Sequence, residues 1–542
     1  MSGNQSRAVG RRRFLNAVGM AVVAAGMPTV LRARAAEAPV GRRQFVIRED
    51  RFGRIFPQLP SFDHRLDGQA RDALIPALLD IGKPGGMLDA HDDLGRGPVD
   101  LIADPALSVN NPNNPTMTAG ATFMGQFMDH DMTFDLSSRL GVPAEPARSA
   151  NSRTPGFDLD SVYGAGPVGD PQFYRLLDKS GHATQFKIES GGQFEDLPRH
   201  PDRTAIISDP RNDENIIIAG LHAAVLKFHN NAVDLVRGEH PRETYDEVFR
   251  RARQLTTWHY QWMVVHEFLP KFIGQALVDD ILHRGRRYFR PPVAQIPVEF
   301  QGAAYRFGHS IVRPSYRANL AGDNGQPFFA LTFDGTQEGK EDPDDLRGGA
   351  RAPRRFVGWQ TFFDFGEIPR PRDPAGSPLS GDARPNKLID TRISTPLFDL
   401  PLGTIASGAP PTSLPQRNLL RQVTWQLPSG QSLADYMRVP MLAKRDLRDL
   451  RYHRLGLDES TPLWFYILKE AEVMADGHHL GPVGGRIVGE VIIGLIQLDR
   501  ESYAWSPRWR PTLPTTTGRV TGDFRMIDFL TFAGVDPTSR GQ

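Results

Sequence analysis

The chain has 542 residues, of which 23% are charged and 9% aromatic, and its formal net charge at pH 7 is +1. This balance does not predict the strongly basic surface of a nucleic-acid-binding protein, so nucleic acid is not an expected partner. The chain has no cysteine, which excludes disulfides and thiolate metal ligands and leaves histidine, methionine and oxygen-bearing side chains to bind a metal.

The first residues have the pattern of an export signal. Three arginines at 11–13 precede an apolar run at 17–25, and Ala-Arg-Ala at 33–35 is a small-residue cleavage pattern. Twin arginines before such a run are typical of a Tat-type signal, although a basic tail or a membrane anchor has similar features. The run is shorter than the about 20 residues that span a membrane, and we expect no membrane span elsewhere. Residues 1–35 are therefore predicted to direct export to the periplasm or beyond, leaving 36–542 as the mature protein.

Glycine and proline are frequent and predict long loops. The chain has 52 glycines and 45 prolines, more than the usual combined share of about 12%. Residues 40–118 are expected to be mostly loop with one helix near 68–80, and the asparagines and prolines of 110–116 indicate a turn. Residues 320–412 are also expected to form loops, with short helices near positions 357 and 388.

The segment 120–135, GATFMGQFMDHDMTFD, is predicted to be a helix that carries several reactive groups. Gln126 and His130 are four residues apart and would share one face, while Asp129 and Asp131 flank the histidine. An acid/base group, an amide and two carboxylates would then lie together. A single histidine beside an aspartate is, however, more often a hydrogen-bonded structural residue than a catalytic one.

The segment 153–164, RTPGFDLDSVYG, offers oxygen atoms at alternate positions. These positions are Thr154, Gly156, Asp158 and Asp160. Calcium binds six to eight oxygens from carboxylates, hydroxyls and carbonyls, which an extended loop of this kind could supply. The alternative is a turn whose aspartates face solvent.

Residues 208–215, SDPRNDEN, have the composition of a helix start, with Asp209 as cap and Pro210 in the first turn. Arg211 and Glu214 are three apart and could share a helix face or form a surface ion pair. Helices are then predicted over 216–236 and 243–268. Each carries two histidines seven residues apart, for which packing or hydrogen bonds are favoured over metal binding: His222, His229, His259 and His266.

The later part of the chain offers a candidate metal-binding histidine. His309 lies in YRFGHSIVR at 305–313, and neutral imidazole is the commonest protein ligand of transition metals, although buried structural histidines are more frequent. A helix is predicted after residue 414, where Asn418 could be a cap. Two strong helices follow, an amphipathic one over 463–476 and an apolar one over 485–500.

Five of these segments, in the same order, resemble the motifs of the animal-type haem peroxidases of the peroxidase–cyclooxygenase superfamily. They are GQFMDHD, RTPGFDLDSVYG, SDPRNDEN, YRFGHSIVR and LPQRN. LGPVGGRIVGEV and the final DFLTFAGV also look like bacterial members. The resemblance covers nearly the whole of residues 36–542 and implies a mainly α fold, a large haem-peroxidase helical domain with long loops and little β structure.

The resemblance implies catalytic roles on the distal side of a haem b. His130 and Gln126 would face hydrogen peroxide, and Arg211 corresponds to the distal arginine. Asp129 and Glu214 correspond to carboxylates that form ester bonds with the haem.

One position departs from part of the family. Asn215 stands where some members carry a methionine that forms a sulfonium bond with haem. The chain is therefore lactoperoxidase-like at the haem-linking positions, and easy oxidation of chloride is not expected.

On the proximal side the resemblance makes His309 the ligand of the haem iron. Asn418 would accept the N–H of His309, and Arg421 would face the haem. Arg306 stands where related fatty-acid dioxygenases have a radical-forming tyrosine, and Tyr305 is one position away. For calcium, the resemblance adds one residue to the loop ligands: Asp131, with Thr154, Gly156, Asp158 and Asp160.

The function implied is reduction of hydrogen peroxide with oxidation of halide, thiocyanate or phenolic donors. Two alternatives stay open. One is a haem-dependent fatty-acid dioxygenase that uses Tyr305 or another tyrosine, and the other is a calcium-binding, non-catalytic adhesion or scaffold protein with the same fold. The oligomeric state does not follow from the sequence.

Overall fold

The computed structural model describes residues 51–177, 183–322, 325–349, 352–366, 383–405 and 407–540. The described residues all belong to one structural unit. The predicted export signal over 1–35 lies outside them and stays a prediction.

The described residues are mainly α-helical, as predicted. The α-helices are α1 Gly68–Asp72, α2 Leu74–Ile81, α3 Gly97–Ala103, α4 Gly120–Met132, α5 Asp160–Tyr163, α6 Gly166–Gly169, α7 Ile216–Glu239, α8 Tyr245–Met263, α9 Leu269–Ile273, α10 Gln275–Arg284, α11 Val298–Gly302, α12 Leu414–Thr424, α13 Gly430–Met437, α14 Leu463–Met474, α15 Pro482–Leu498, α16 Met526–Phe532 and α17 Pro537–Arg540. Short 3₁₀ helices include Pro210–Asp213 and Ala304–His309, and a π-helical turn over Val264–Phe268 joins α8 to α9.

The β structure of the described residues consists of short two-stranded pairs. The strands are β1 Phe52–Gly53, β2 Asn113–Thr118, β3 Tyr174–Leu176, β4 Ala183–Phe186, β5 Glu189–Ser190, β6 Glu195–Asp196, β7 Ile296–Pro297, β8 Ser315–Asn319, β9 Phe328–Leu331 and β10 Pro385–Lys387. β1 and β7 are parallel, whereas β2 with β10, β3 with β4, β5 with β6 and β8 with β9 are antiparallel.

Two local predictions were wrong in this part of the molecule. The turn expected over 110–116 is largely strand β2, and the helix expected near position 388 is strand β10, which pairs with β2. Residues 110–116 have the composition of a turn. Strand β2 forms nevertheless, because its backbone hydrogen-bond partners lie on β10, which is distant in sequence.

α7 and α8 pack extensively against each other. Asn215 caps α7, since its side-chain oxygen accepts from the N–H groups of Ile217 and Ile218 at 3.1 and 2.9 Å. α8 begins with a capping box formed by Thr244 and Glu247.

One helix of the described residues, α7, is long and apolar enough to cross a membrane by length and composition, which the sequence analysis did not anticipate. Of its most apolar window, 83% is buried inside the protein. Packing explains this apolar composition, because a helix that is buried in the core is apolar on most sides.

The helix α4 is enclosed on most sides. Its buried residues include Phe123, Phe127, Met128 and His130. Gly125 lies where an added Cβ would be 3.1 Å from the ring of Phe268, so the absence of a side chain lets the π-helical turn approach the helix closely. Close packing therefore helps to fix the helix that carries Gln126, Asp129 and His130.

Candidate functional site

A cavity of about 260 Å³ lies between α4 and the 3₁₀ helix Ala304–His309. Polar side chains from both sides line it, together with apolar side chains that include Phe268, Phe272, Phe307, Leu397 and Leu400. The polar and charged side chains of the wall that were predicted from sequence are Gln126, Asp129, His130, Arg211, Glu214, Arg306 and His309. Residues distant in sequence thus meet at one cavity, as their predicted roles require.

His130 is 4% exposed and is held from behind by an amide. Its Nδ1 is 3.0 Å from Oδ1 of Asn212, and its Nε2 is 3.7 Å from Oε1 of Glu214. Burial, together with the nearby Arg211 guanidinium, lowers the pKa of His130 to about 3. The imidazole is therefore neutral at pH 7, with its Nε2 on the cavity side.

Gln126, Glu214 and Asn215 form a polar group beside His130. The Gln126 amide donates to Oε1 of Glu214, and Nδ2 of Asn215 donates to Oε1 of Gln126 at 3.4 Å. Burial raises the pKa of Glu214 to about 8, which outweighs the opposing effect of Arg211. The carboxyl group is therefore mostly protonated at pH 7.

Arg211 reaches the cavity because a buried carboxylate orients it. Its Nε and Nη2 donate to Asp209 at 3.1 and 2.8 Å, and Nη2 also donates to the carbonyl of His130 at 3.1 Å. Its guanidinium carbon lies 4.1 Å from the centre of the Phe134 ring. Nη1 is 3.7 Å from Oδ2 of Asp129, which also lines the cavity.

Asp209 is fully buried and is shared by two arginines. Nε of Arg153 lies 2.9 Å from Oδ2 of Asp209, in addition to the Arg211 contacts. Although burial opposes ionisation, Arg211 and Arg153 hold the pKa of Asp209 well below its usual range. Asp209 also accepts from the backbone N–H of Arg211, as a cap of the 3₁₀ helix Pro210–Asp213.

His309 lies on the opposite wall and contacts Asn418, as predicted, but with a different orientation of the amide. Nδ2 of Asn418 is 2.8 Å from Nδ1 of His309, while Oδ1 of Asn418 accepts from Nη1 of Arg306 at 3.3 Å. In this structure Arg306 donates to the amide oxygen, and the expectation that this oxygen accepts the N–H of an iron-bound His309 stays a prediction. Burial lowers the pKa of His309 to about 3, so its ring is neutral.

Arg421 does not lie where it was expected. It is absent from the described cavity wall, and its Nη1 instead forms an ion pair with Oδ2 of Asp135 and a hydrogen bond with Ser138. The Asp135 side chain is only 1% exposed and therefore needs a cation nearby. Arg306 does line the cavity, where burial and the charge of Arg421 lower its pKa to about 10, so it stays charged at pH 7.

Tyr305 also lines the cavity. It lies one position before Arg306, which stands where related fatty-acid dioxygenases have a radical-forming tyrosine. Its ring is stacked on Phe300 at a centroid distance of 4.8 Å, and its hydroxyl donates to the carbonyl of Gly125 at 3.0 Å. Burial raises the pKa of Tyr305. A backbone carbonyl accepts a hydrogen bond but does not accept the proton itself.

Three carboxylates meet behind the cavity wall: Asp131, Asp158 and Asp160. One oxygen of each lies within 4.8 Å of the others. Burial, together with the charges of Asp158 and Asp160, raises the pKa of Asp131 well above its usual value. Thr154, the fourth predicted member, donates from its hydroxyl to Oδ2 of Asp160 at 2.9 Å.

The remaining predicted ligand, Gly156, lies in the same loop, where its N–H donates to the carbonyl of Thr154 at 2.8 Å. Leu159 N and the Ser161 hydroxyl donate to Asp131 at 3.1 and 3.3 Å. The cluster therefore combines three carboxylates with the Thr154 hydroxyl, and oxygen donors of these kinds are what a hard cation such as calcium prefers.

The four histidines of α7 and the segment after it form hydrogen bonds rather than a metal site. His222 accepts from Asn212 at 3.0 Å, and His229 contacts the Tyr163 hydroxyl at 2.9 Å. His259 contacts the Leu255 carbonyl at 2.7 Å, and His266 lies 3.3 Å from the Tyr503 hydroxyl. The interpretation favoured from sequence is thus the one that the structure supports.

Sequence reasoning missed two residues that act on the site through others. Arg153 pairs with Asp209 and lies 3.6 Å from Asp160, and Asn212 contacts both His130 and His222. The sequence Asp-Pro-Arg-Asn signalled a capped turn, but nothing local indicated which way each side chain would point.

Parts of the chain are similar in sequence to known proteins. The family described as animal haem peroxidase matches residues 135–332, which include Arg211, Glu214 and His309 and begin after His130. Heme peroxidase 2 of Caenorhabditis elegans is 29% identical over 300 residues, which are 52% of this chain and 39% of that protein. Thyroid peroxidase of Rattus norvegicus is 23% identical over 233 residues, or 40% of this chain and 25% of that protein. The matched segments thus cover well under half of these relatives.

Solved structures show the same fold at low sequence identity. Peroxidase A from Dictyostelium discoideum superposes with a TM-score of 0.55 and 16% identity, covering 89% of this chain and 95% of that chain. A variant of the fatty acid alpha-dioxygenase of Oryza sativa with palmitic acid gives a TM-score of 0.50 and 14% identity, covering 74% of each chain. These likenesses establish the fold and do not by themselves distinguish the reactions.

The ion pairs of Asp209 predict a specific pH dependence of stability. Because the pKa of Asp209 is lower in the folded protein than in the unfolded chain, its contribution is present above about pH 4 and is lost as the pH falls further. We expect Asp209→Asn to lower the free energy of unfolding by about 3–5 kcal/mol at pH 6, and by less at pH 3.5. The measurement is urea unfolding of both proteins between pH 3.5 and 6.

The matched control is Asp449→Asn, since the Asp449 side chain is 67% exposed. It should change the free energy of unfolding little at any pH. A difference between wild type and Asp209→Asn that did not narrow on acidification would contradict the assignment of a low pKa to Asp209.

Proposed function

We propose, from the premise that the chain belongs to the peroxidase–cyclooxygenase superfamily, that it is a haem peroxidase that reduces hydrogen peroxide. The observation that carries the proposal is the meeting of His130, Gln126 and Arg211 with His309 at one cavity. The first three supply a base, an amide and a fixed cation, and the fourth supplies a neutral imidazole on the opposite side.

The residues present fit a haem. The chain has no cysteine, so an axial ligand must come from another side chain, and His309 is a neutral imidazole whose Nδ1 is already held by Asn418. Apolar side chains between the two histidines suit the faces of a porphyrin. Iron binding through Nε2 would place the proton on Nδ1, so the amide of Asn418 would have to turn over to present Oδ1. When bound, haem supplies the two electrons that peroxide reduction requires.

His130 is the proposed general acid and base. Its Nε2 takes a proton from one oxygen of hydrogen peroxide and returns it to the other oxygen, which leaves as water. Because burial lowers its pKa, His130 is unprotonated at pH 7, and once it has taken a proton it releases that proton readily.

Arg211 is the proposed electrostatic stabiliser of that reaction. As the O–O bond breaks, negative charge grows on the departing oxygen, and a guanidinium fixed in advance stabilises this charge without reorganisation. Asp209 holds the guanidinium in place, since it accepts hydrogen bonds from Nε and Nη2, and Nη1 remains available to the cavity. Gln126, beside His130, would orient the bound peroxide.

The proposed donors are halides, thiocyanate or phenols. The dioxygenase alternative needs a tyrosine that gives up a proton and an electron together. Tyr305 reaches the cavity, but its hydroxyl donates to the carbonyl of Gly125, which is a poor proton acceptor. The scaffold alternative does not explain why His130, Arg211 and His309 all face the same cavity.

The first expected outcome separates peroxidase from dioxygenase. With haem bound, the protein should oxidise bromide or iodide when peroxide is added, and should consume little oxygen with linoleate. Arg211→Leu should lower the rate of halide oxidation by at least about 100-fold, because it removes the charge that stabilises the breaking bond. Oxygen uptake with linoleate in the absence of halide oxidation would refute the peroxidase proposal.

We also propose that calcium occupies the cluster of Asp131, Asp158 and Asp160, with oxygens of Thr154 and Gly156. Three carboxylates so close together repel one another, and a divalent cation would relieve this repulsion. Since Asp131 follows His130 directly on α4, the ion would hold the helix that carries the proposed base.

An Asp158→Ala variant tests this proposal. It should lose bound calcium, haem occupancy and peroxidase activity together, because the support of α4 is lost. Metal analysis, the haem absorbance and the halide assay measure the three quantities, with Asp449→Ala as an exposed control. Active protein that contains no calcium would show the proposal to be wrong.

We further propose that Asp129 and Glu214 form ester bonds with haem and that no sulfonium bond forms. Both carboxyl groups line the cavity, and Asn215 has no sulfur to offer. The raised pKa of both groups indicates that they carry less charge than exposed carboxylates would, which suits burial against a porphyrin.

After turnover with peroxide, haem should stay with the polypeptide through acid–acetone extraction and denaturing electrophoresis. Asp129→Ala should keep the haem through one bond, and the double variant with Glu214→Ala should release it. Retention of haem by the double variant would mean that another residue forms the bond. Oxidation of chloride near neutral pH should be weak, and rapid hypochlorous acid production would contradict the absence of a sulfonium bond.

A further inference from the structure

We infer that Asn212 is a positioning residue that fixes the tautomer and orientation of His130, and that His222 in turn fixes the amide of Asn212. The inference rests on the proposed function, since it concerns how the proposed base is held. It adds to that function a three-residue chain, His130–Asn212–His222, which extends from the cavity into the core.

The chain is continuous and buried. Oδ1 of Asn212 lies 3.0 Å from Nδ1 of His130, and Nδ2 of Asn212 lies 3.0 Å from Nδ1 of His222. His130, Asn212 and His222 are 4%, 0% and 1% exposed. Water therefore does not compete for these hydrogen bonds, and each bond has to be supplied by the partner within the chain.

The polarity of the chain follows from the chemistry of an amide. Asn212 has an acceptor oxygen and a donor NH₂ group, and its NH₂ group can bond Nδ1 of His222 only if that nitrogen carries a lone pair. The oxygen of Asn212 then faces Nδ1 of His130, so Nδ1 of His130 must carry the hydrogen. The remaining nitrogen, Nε2, keeps its lone pair and faces the cavity, where a proton acceptor is needed.

A His222 whose Nδ1 carries a lone pair favours the observed amide orientation over the reversed one. A reversed amide would place its oxygen against Nδ1 of His222 and its NH₂ group against Nδ1 of His130. His130 would then be stabilised as the other tautomer, with a hydrogen on Nε2 and no base directed at the cavity. Burial keeps His222 neutral, since its pKa falls to about 3, so one of its ring nitrogens carries a lone pair, and the contact with Nδ2 of Asn212 assigns that lone pair to Nδ1.

The backbone places Asn212 for this role. The N–H of Asn212 donates to the carbonyl of Asp209 at 3.0 Å within the 3₁₀ helix Pro210–Asp213. Arg211 and Asn212 are therefore successive residues of one short turn. The first reaches the cavity and the second reaches the rear of His130, so one turn positions both the charge stabiliser and the base.

A carboxylate often performs the equivalent task in hydrolases, where it also stabilises the charged imidazole. An amide orients the ring without adding negative charge.

The experiment compares Asn212→Leu, His222→Leu and His222→Gln with wild type and with Asn319→Leu. Asn319 is a matched control because it is equally buried and bonds the carbonyls of Arg354 and Phe356, remote from His130. The first readout is nitrogen NMR of the haem-free protein labelled with ¹⁵N only in histidine, which shows which ring nitrogen of His130 carries the hydrogen. The second is the rate of reaction of the haem-loaded protein with hydrogen peroxide, per bound haem.

We expect Asn212→Leu to lose the Nδ1–H signal of His130 and to react about 10- to 100-fold more slowly, with unchanged haem content. His222→Leu should show a similar but smaller loss. His222→Gln should restore both signal and rate, since a glutamine oxygen can accept from the amide of Asn212. Asn319→Leu should keep the wild-type tautomer and rate.

If Asn212→Leu does not fold, the variants His222→Leu and His222→Gln still test the inference. An unchanged His130 tautomer and an unchanged rate in Asn212→Leu or His222→Leu would overturn it, and so would failure of His222→Gln to exceed His222→Leu. If wild-type protein did not react with peroxide at all, the proposed function would fall, while the NMR measurement would still decide the tautomer.

Discussion

The site depends on one buried carboxylate, Asp209, and the two arginines that neutralise it. Arg211 links Asp209 to the cavity, and Arg153 links it to the loop that carries Asp158 and Asp160. A buried charge is tolerated only with partners in good geometry, so the three residues specify one another's positions. The candidate metal loop, the turn before α7 and the carbonyl of His130 are thereby joined into one rigid assembly.

Much of the site could be predicted because its parts are local. Gln126 and His130 are four apart on a strong helix, and Arg211 and Glu214 lie in a turn with an evident cap, so each pair had a definite geometry once the helix or turn was assigned. The resemblance of these segments, in the same order, to the motifs of the animal-type haem peroxidases then implied that they belong to a single site. The sequence pattern predicted the individual helices α7, α8, α14 and α15, whereas the mainly helical fold was implied by the family resemblance.

The parts that could not be predicted depend on contacts between distant segments. Arg421 was expected at the haem, but Asp135, which lies 286 residues earlier, holds its guanidinium. The oxygen of the Asn418 amide accepts from Arg306, which lies 112 residues earlier in the chain. Strand β2 forms because β10 comes to pair with it. In each case the deciding partner is invisible within the local sequence.

Asn215 shows how helix formation can limit the chemistry available to a site. Its side chain occupies the N-cap of α7, where it satisfies two backbone N–H groups of a 24-residue buried helix. A methionine there would gain a sulfur atom within reach of the cavity but would leave both N–H groups unsatisfied, at a cost of about 1 kcal/mol or more. A variant that gained this sulfur would therefore have a weaker helix start, directly beside Glu214. Any engineering of this position has to restore the cap from another residue, and the adjacent turn offers few places from which to do so.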